Sequence, residues 1–150
     1  GVKLEGGKKI IEYVKTLVKH NIPVMGHIGV LPQSDKTFKF KGKKKSEKEN
    51  IIRDVKLLEE VGVFSIVLEC IETSLAKQVT KSISVPTIGI GASNNCDGQI
   101  LVFDDLIGLN PINVRFVKKY TNIKKEISKA VSKYSSEVKA RKFPSKKYSY

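Results

Sequence analysis

With 150 residues, 40% of them hydrophobic, the chain is long enough for one domain with a real core. It has no apolar run near the roughly 18 residues of a membrane-crossing helix, and it opens on no signal-peptide pattern. Its formal charge of +13 comes almost wholly from lysine, since Arg53, Arg115 and Arg141 are the only arginines among 28 basic residues. Nucleic-acid sites favour arginine with interleaved aromatics, so this charge reads as solvated surface with weak nonspecific affinity for polyanions. Cys70 and Cys96 stand in no CxxC or CxxH spacing, which argues against zinc and for a reduced, cytoplasmic protein.

In chain order, Val2-Lys3-Leu4-Glu5 reads as a strand that begins with almost no run-up, unusual for the first strand of a domain. Gly6-Gly7 make a tight turn. Lys8 to His20 then carry Ile10, Ile11, Val14, Leu17 and Val18 on one helical face, with Asn21 as the stop. Ile22 to Gly26 predict a second strand, leading into His27-Ile28-Gly29-Val30-Leu31-Pro32-Gln33. Ser34 to Lys45 form a long polar loop with Lys36, Lys39, Lys41 and Lys43 to Lys45, and such loops in compact domains are usually functional or disordered. Ser46 with Glu49 predicts a capping box for a helix over 47–61 that turns Ile51, Val55, Leu58 and Val61 inward and stops at Gly62.

Phe64-Ser65-Ile66-Val67-Leu68-Glu69-Cys70 is apolar and β-branched, as in a parallel strand buried on both faces. It ends on a carboxylate, at the strand end where parallel sheets place their function. Thr73 or Ser74 is expected to cap a helix to about Ser82, with Leu75, Ala76 and Val79 inward. Val85 to Ile90 are the next strand, 91–98 a loop, and Gln99 to Phe103 a last short strand. Residues 113–120 predict a short helix. Ile123 to about Ala140 predict a longer amphipathic one using Ile123, Ile127, Val131, Tyr134 and Val138. Residues 141–150, with Pro144 and no periodicity, read as a basic tail.

This alternation is α/β with a parallel sheet. An open doubly wound sheet fits the length. A complete (β/α)8 barrel, which needs roughly 200 residues or more, does not, and the abrupt start points to the C-terminal portion of a barrel.

Gly89-Ile90-Gly91 begins like a dinucleotide fingerprint but has Asn94 where the third glycine belongs, so a simple glycine turn is favoured. Gly42-Lys43-Lys44-Lys45-Ser46 lacks the upstream glycine of a phosphate-binding loop. Lys3 and Glu5 flank Leu4 on one strand and point the same way. In an open sheet they would be a salt-bridged pair; at a barrel mouth they would be an anion site beside a metal ligand, and the residues alone leave both open. His27 and Glu69, each taken singly, favour a structural role.

Together the motifs are more specific. Val2-Lys3-Leu4-Glu5-Gly6-Gly7, Pro23-Val24-Met25-Gly26-His27-Ile28-Gly29-Val30-Leu31-Pro32-Gln33-Ser34, Val67-Leu68-Glu69-Cys70 and the run from Ile88 to Val102 share one order and spacing. From residue 1 to about residue 140 the chain resembles the ketopantoate hydroxymethyltransferase family in that order and spacing. The resemblance implies a (β/α)8 (TIM) barrel, of which 1–140 would be the last five strands. It implies Mg2+ as cofactor, 3-methyl-2-oxobutanoate as substrate and 5,10-methylenetetrahydrofolate as one-carbon donor, the product being 2-dehydropantoate of pantothenate biosynthesis. On matching positions Glu69 would be the proton acceptor, Lys3 and His27 substrate-binding residues, and Glu5 a metal-associated carboxylate. The family's other metal ligands are two aspartates on earlier strands, and neither motif occurs here. A homo-oligomer, decameric by resemblance, is expected. The exposed sheet edges of a half-barrel would also make the chain self-associate. The alternative function is a noncatalytic basic half-barrel that binds nucleic acid or another polyanion; a third is another Mg2+-dependent carbon–carbon bond enzyme of the same barrel type.

Overall fold

The structure is a computed structural model and describes residues 1–35 and 39–150. The chain divides into two compact units, Gly1–Ile100 and Leu101–Tyr150. In the first, β1 (Val2–Glu5) leads through a 3-10 turn (Lys8–Ile10) into α1 (Ile11–Lys19). There follow β2 (Val24–Gly29), α2 (Lys45–Glu60), β3 (Ser65–Glu69), α3 (Thr73–Ser82), β4 (Thr87–Ile90) and β5 (Gly98–Gln99).

All five strands are parallel and lie in sequence order, β1-β2-β3-β4-β5. A doubly wound sheet reverses direction at a switch point and carries helices on both sides. Here nothing reverses. The strand residues in the core are Val24, Ile28, Ile66 and Leu68, with Leu4 packed against them, and register places all of them on one side. Against them lie Ile11 and Val14 of α1, Ile51, Val55 and Leu58 of α2, and Leu75, Ala76 and Val79 of α3. Singly wound order with helices on one side is the arrangement of consecutive strands in a (β/α)8 barrel. The fold is α/β, as expected, and the open doubly wound alternative is excluded.

Several local expectations are corrected. β2 runs to Gly29 and does not stop at Gly26, so His27 sits inside a strand. Gly26 does not break the strand; it faces the helices, where a Cβ would stand 3.0 Å from Leu58 Cδ1. The Ser46–Glu49 capping box does not form: α2 starts at Lys45, its N-cap is Lys44, and the Glu47 carboxylate accepts from the Gly42 N–H instead (3.1 Å). The cap of α3 is Glu72, one residue ahead of the expected Thr73 or Ser74, accepting from the N–H groups of Ser74 and Leu75 (3.0 and 3.1 Å). A carboxylate there also complements the positive end of the helix.

In the second unit the expected strand beyond Gln99 is absent, and Phe103–Leu106 form one helical turn, α4. Residues 113–120 form no helix, having only a turn around 115–116. The segment is tied back through the Tyr120 N–H to the Leu106 carbonyl and the Ile123 N–H to the Ile107 carbonyl (2.8 and 3.0 Å). α5 (Ile123–Lys139) is capped by the Asn122 side chain on the Lys125 N–H. The expected helix forms, and Ile127, Val131, Tyr134 and Val138 of its apolar stripe are exposed. In the tail the Phe143 ring meets Tyr134 edge-on at 5.4 Å. Among the described residues no helix is long and apolar enough to cross a membrane.

Candidate active site

Register sorts the strand residues on the side away from the helices into rows. Lys3, Met25 and Ser65 form one row; Glu5, His27, Val67 and Ile88 the next; Gly29, Glu69 and Ile90 the one at the C-terminal ends. Three charged residues and a histidine from β1, β2 and β3 thus share one side within three rows. Such a side should be solvated, yet His27 is only 1% exposed and Glu69 7%.

All four sequence-derived candidates converge. His27 Nδ1 lies 3.3 Å from Lys3 Nζ and 3.7 Å from Glu5 Oε1, and Nε2 lies 3.2 Å from Glu69 Oε2. No ion pair joins Lys3 to Glu5 among the described residues, so the strand-end salt bridge gives way to a cluster around His27. The Nε2–Glu69 approach is off the line of a hydrogen bond, so among the described residues the buried Nε2 has no partner. Ser65 Oγ, one row below His27, is likewise buried and without a partner among the described residues. Buried polar atoms without partners are rare, and both are groups that a water or a bound polar molecule could pair.

Burial pushes the Glu69 carboxyl above its ordinary value, Glu5 adding to the rise and the Lys3 charge opposing it. Burial also pushes His27 below its ordinary value, helped by Lys3 and opposed by Glu5. A neutral imidazole beside a carboxylate is no ion pair, which agrees with the poor alignment at Nε2. A desolvated carboxylate with raised proton affinity at a strand end can take a proton from a weak carbon acid; a lysine on the same side can hold an anion. Cys70, next to Glu69, is buried too, and burial with the Glu69 charge pushes its thiol up to about 11.

Sequence reasoning missed the supports of this cluster. Gly29 has φ +110°, and a Cβ there would overlap the Glu69 carbonyl oxygen, so only glycine lets β2 end beside β3. Cys70 holds a left-handed backbone (φ +49°) just past Glu69, a position unfavourable for a residue with a Cβ. The Gln33 N–H donates to Glu5 Oε2 (3.1 Å). A glycine three residues beyond Gly26 was the one visible signal; a backbone amide gives none.

A family model described as ketopantoate hydroxymethyltransferase matches residues 1–146. The chain belongs to that family. Among curated relatives, the 3-methyl-2-oxobutanoate hydroxymethyltransferase of Pelagibacter ubique is 64% identical over 149 residues, covering 99% of this chain and 58% of that protein. The protein of the same name from Clostridium kluyveri is 53% identical over 153 residues (99% and 55%), and that from Enterococcus faecalis 46% (99% and 56%). The chain therefore spans a little over half the length of the curated relatives it matches. The sheet it forms fits a fragment of the family's barrel.

Glu5 could offer one oxygen donor to a hard cation, but among the described residues no three His, Cys, Asp or Glu side chains are arranged to hold one metal ion. Magnesium is commonly held by one or two carboxylates with waters and substrate oxygens, and the chemistry of Glu5 suits one such donor.

Proposed function

We propose that this chain carries the base and substrate-binding part of a hydroxymethyl transfer from 5,10-methylenetetrahydrofolate to 3-methyl-2-oxobutanoate. The supporting observation is the convergence of Lys3, Glu5, His27 and Glu69 on one buried side of the sheet, with His27 Nε2 left unpartnered. Lys3 holds the keto acid's negative charge and so turns its reacting carbon toward Glu69. The Glu69 carboxylate takes the proton from C3, and its raised proton affinity suits that acceptor role. The C–H electron pair moves into the enolate, whose carbon forms a bond to the methylene carbon of the folate. Both carbon–nitrogen bonds of that methylene break, water supplies the hydroxyl, and the proton taken from C3 and one from water end on the two folate nitrogens, which leaves tetrahydrofolate. His27 stays neutral between Lys3 and Glu69 and offers Nε2 to the bound substrate. Bound Mg2+ would supply Lewis-acid stabilisation of negative charge on the keto oxygen, with Glu5 among its donors and the remaining carboxylates contributed from outside this chain. Pairing of further barrel strands at the outer edges of β1 and β5, and assembly into a homo-oligomer, belong to the same proposal.

The test is deuterium exchange at C3 of 3-methyl-2-oxobutanoate, followed by proton NMR. The chain is assayed alone and mixed with a polypeptide carrying the first part of the barrel from the Pelagibacter ubique relative. Mg2+-dependent exchange in the mixture that Glu69→Gln abolishes is the expected result. Exchange indifferent to Glu69→Gln would remove Glu69 from the role.

A further inference from the structure

The described parts of the segment between β2 and α2, Leu31–Asp35 and Lys39–Lys44, reach the Glu5 carboxylate from one end and the backbone just after Glu69 from the other. At its start the Gln33 N–H holds Glu5 Oε2 (3.1 Å). At its end Lys41 forms an isolated parallel bridge on Ile71: its N–H donates to the Cys70 carbonyl and its carbonyl accepts from the Glu72 N–H, both at 2.9 Å. Cys70 is the left-handed residue next to Glu69. Its N–H is held by the Ile90 carbonyl, and the Glu69 carbonyl accepts from the Val30 N–H (2.9 Å each). Of the backbone bonds that fix this strand end, those to Val30 and Ile90 come from the ends of β2 and β4, and that to Lys41 comes from the loop.

The two ends of the loop are tied to each other. Lys41 Nζ lies 3.1 Å from Asp35 Oδ2, and the same oxygen accepts from the Leu31 N–H (3.1 Å). That N–H first, and Lys41 after it, hold the Asp35 carboxyl below its ordinary value. The far anchor is built to close contact: Gly42 has φ +90°, a Cβ there would stand 2.6 Å from Leu75 Cδ2, and its N–H donates to Glu47.

We infer that Gln33, Asp35 and Lys41 are positioning residues that act as one clasp, fixing the Glu5 carboxylate and the backbone just after Glu69 together through the Asp35–Lys41 tie. This rests on the reading of Glu69 as base and Glu5 as metal donor, but the geometry of the clasp does not need that reading.

Amide hydrogen exchange on the full chain tests this without any catalysis. In Asp35→Ala the amides of Gln33, Lys41 and Glu72 should lose protection together by about tenfold or more, while Ile66 and Leu68 in β3 keep theirs. The carboxyl-carbon NMR signals of Glu5 and Glu69 should move in the same variant, a response that a merely structural surface pair would not give. Loss at Lys41 with Gln33 unchanged, or no loss at either end, would overturn the clasp. Should Asp35→Ala unfold the chain, seen as lost protection at Ile66, Asp35→Asn decides. It keeps the acceptor for Leu31 and removes the charge, and the same paired loss is expected. A clasp that responds as described beside a dead exchange assay would sink the proposed function and leave the clasp standing.

Discussion

The two sides of the one sheet obey different rules. On the helix side Val24, Ile66 and Leu68 are fully buried against Val14, Val55, Leu58 and Val79, and the arrangement is explained by apolar area removed from water. On the other side His27, Ser65 and Glu69 are almost as buried, yet two of their polar atoms lack partners among the described residues and Glu69 is held against its own desolvation. The first side stabilises the fold. The second is held in an unfavourable state by it, which is how sites for proton transfer are commonly built.

If that contrast is right, the largest stability loss belongs to the helix side. Leu68→Ala should cost about 2–5 kcal/mol in a urea melt, through lost transfer energy and a cavity that packed neighbours cannot close. The same measurement on the other side should change little or reverse sign. Glu69→Gln removes a desolvated carboxylate and should leave stability within about 1 kcal/mol of the parent or raise it, while abolishing proton exchange on the keto acid. A large destabilisation there would mean that Glu69 is a structural residue after all.

A subtler effect lies where the sheet side meets its loop. Asp97 accepts from the Thr87 N–H and hydroxyl (2.8 and 3.0 Å), and those bonds, the N–H first, hold its carboxyl below the ordinary value. A depressed carboxyl contributes stability that is fully present above its unfolded value near 3.8 and lost as pH falls through the folded value. Asp97→Asn should therefore be less stable than the parent at neutral pH and show a flatter fall below about pH 4, read from urea midpoints across pH. The smallest effect is expected outside the sheet: Val131→Ser on the exposed face of α5 should shift stability by no more than about 0.5 kcal/mol in the isolated chain.

Much of the helix side was legible in the sequence. Ile51, Val55 and Leu58 recur at helical spacing, and the apolar run before Glu69 has no other comfortable place than a buried parallel strand. The exposed stripe of α5 shows the limit of that reasoning, because periodicity says which residues share a face and says nothing about what covers it. Capping failed for a related reason. Ser46 and Glu49 have the right spacing, but Glu47 found the Gly42 amide, a partner fixed only when Gly42 packs on Leu75.

The sequence by itself determined the class of fold, the side chains able to do chemistry and, through the combined motifs, the family. It placed Lys3, Glu5, His27 and Glu69 near the ends of three strands, since alternation along a strand is a local property. Only the tertiary structure decided that the strands follow one another without reversal, that β2 runs on through His27 to Gly29, and that Lys3 turns to His27 and not to Glu5. Those choices depend on register and on close contacts between segments far apart in the chain. The spacing of residues within any one segment does not contain them.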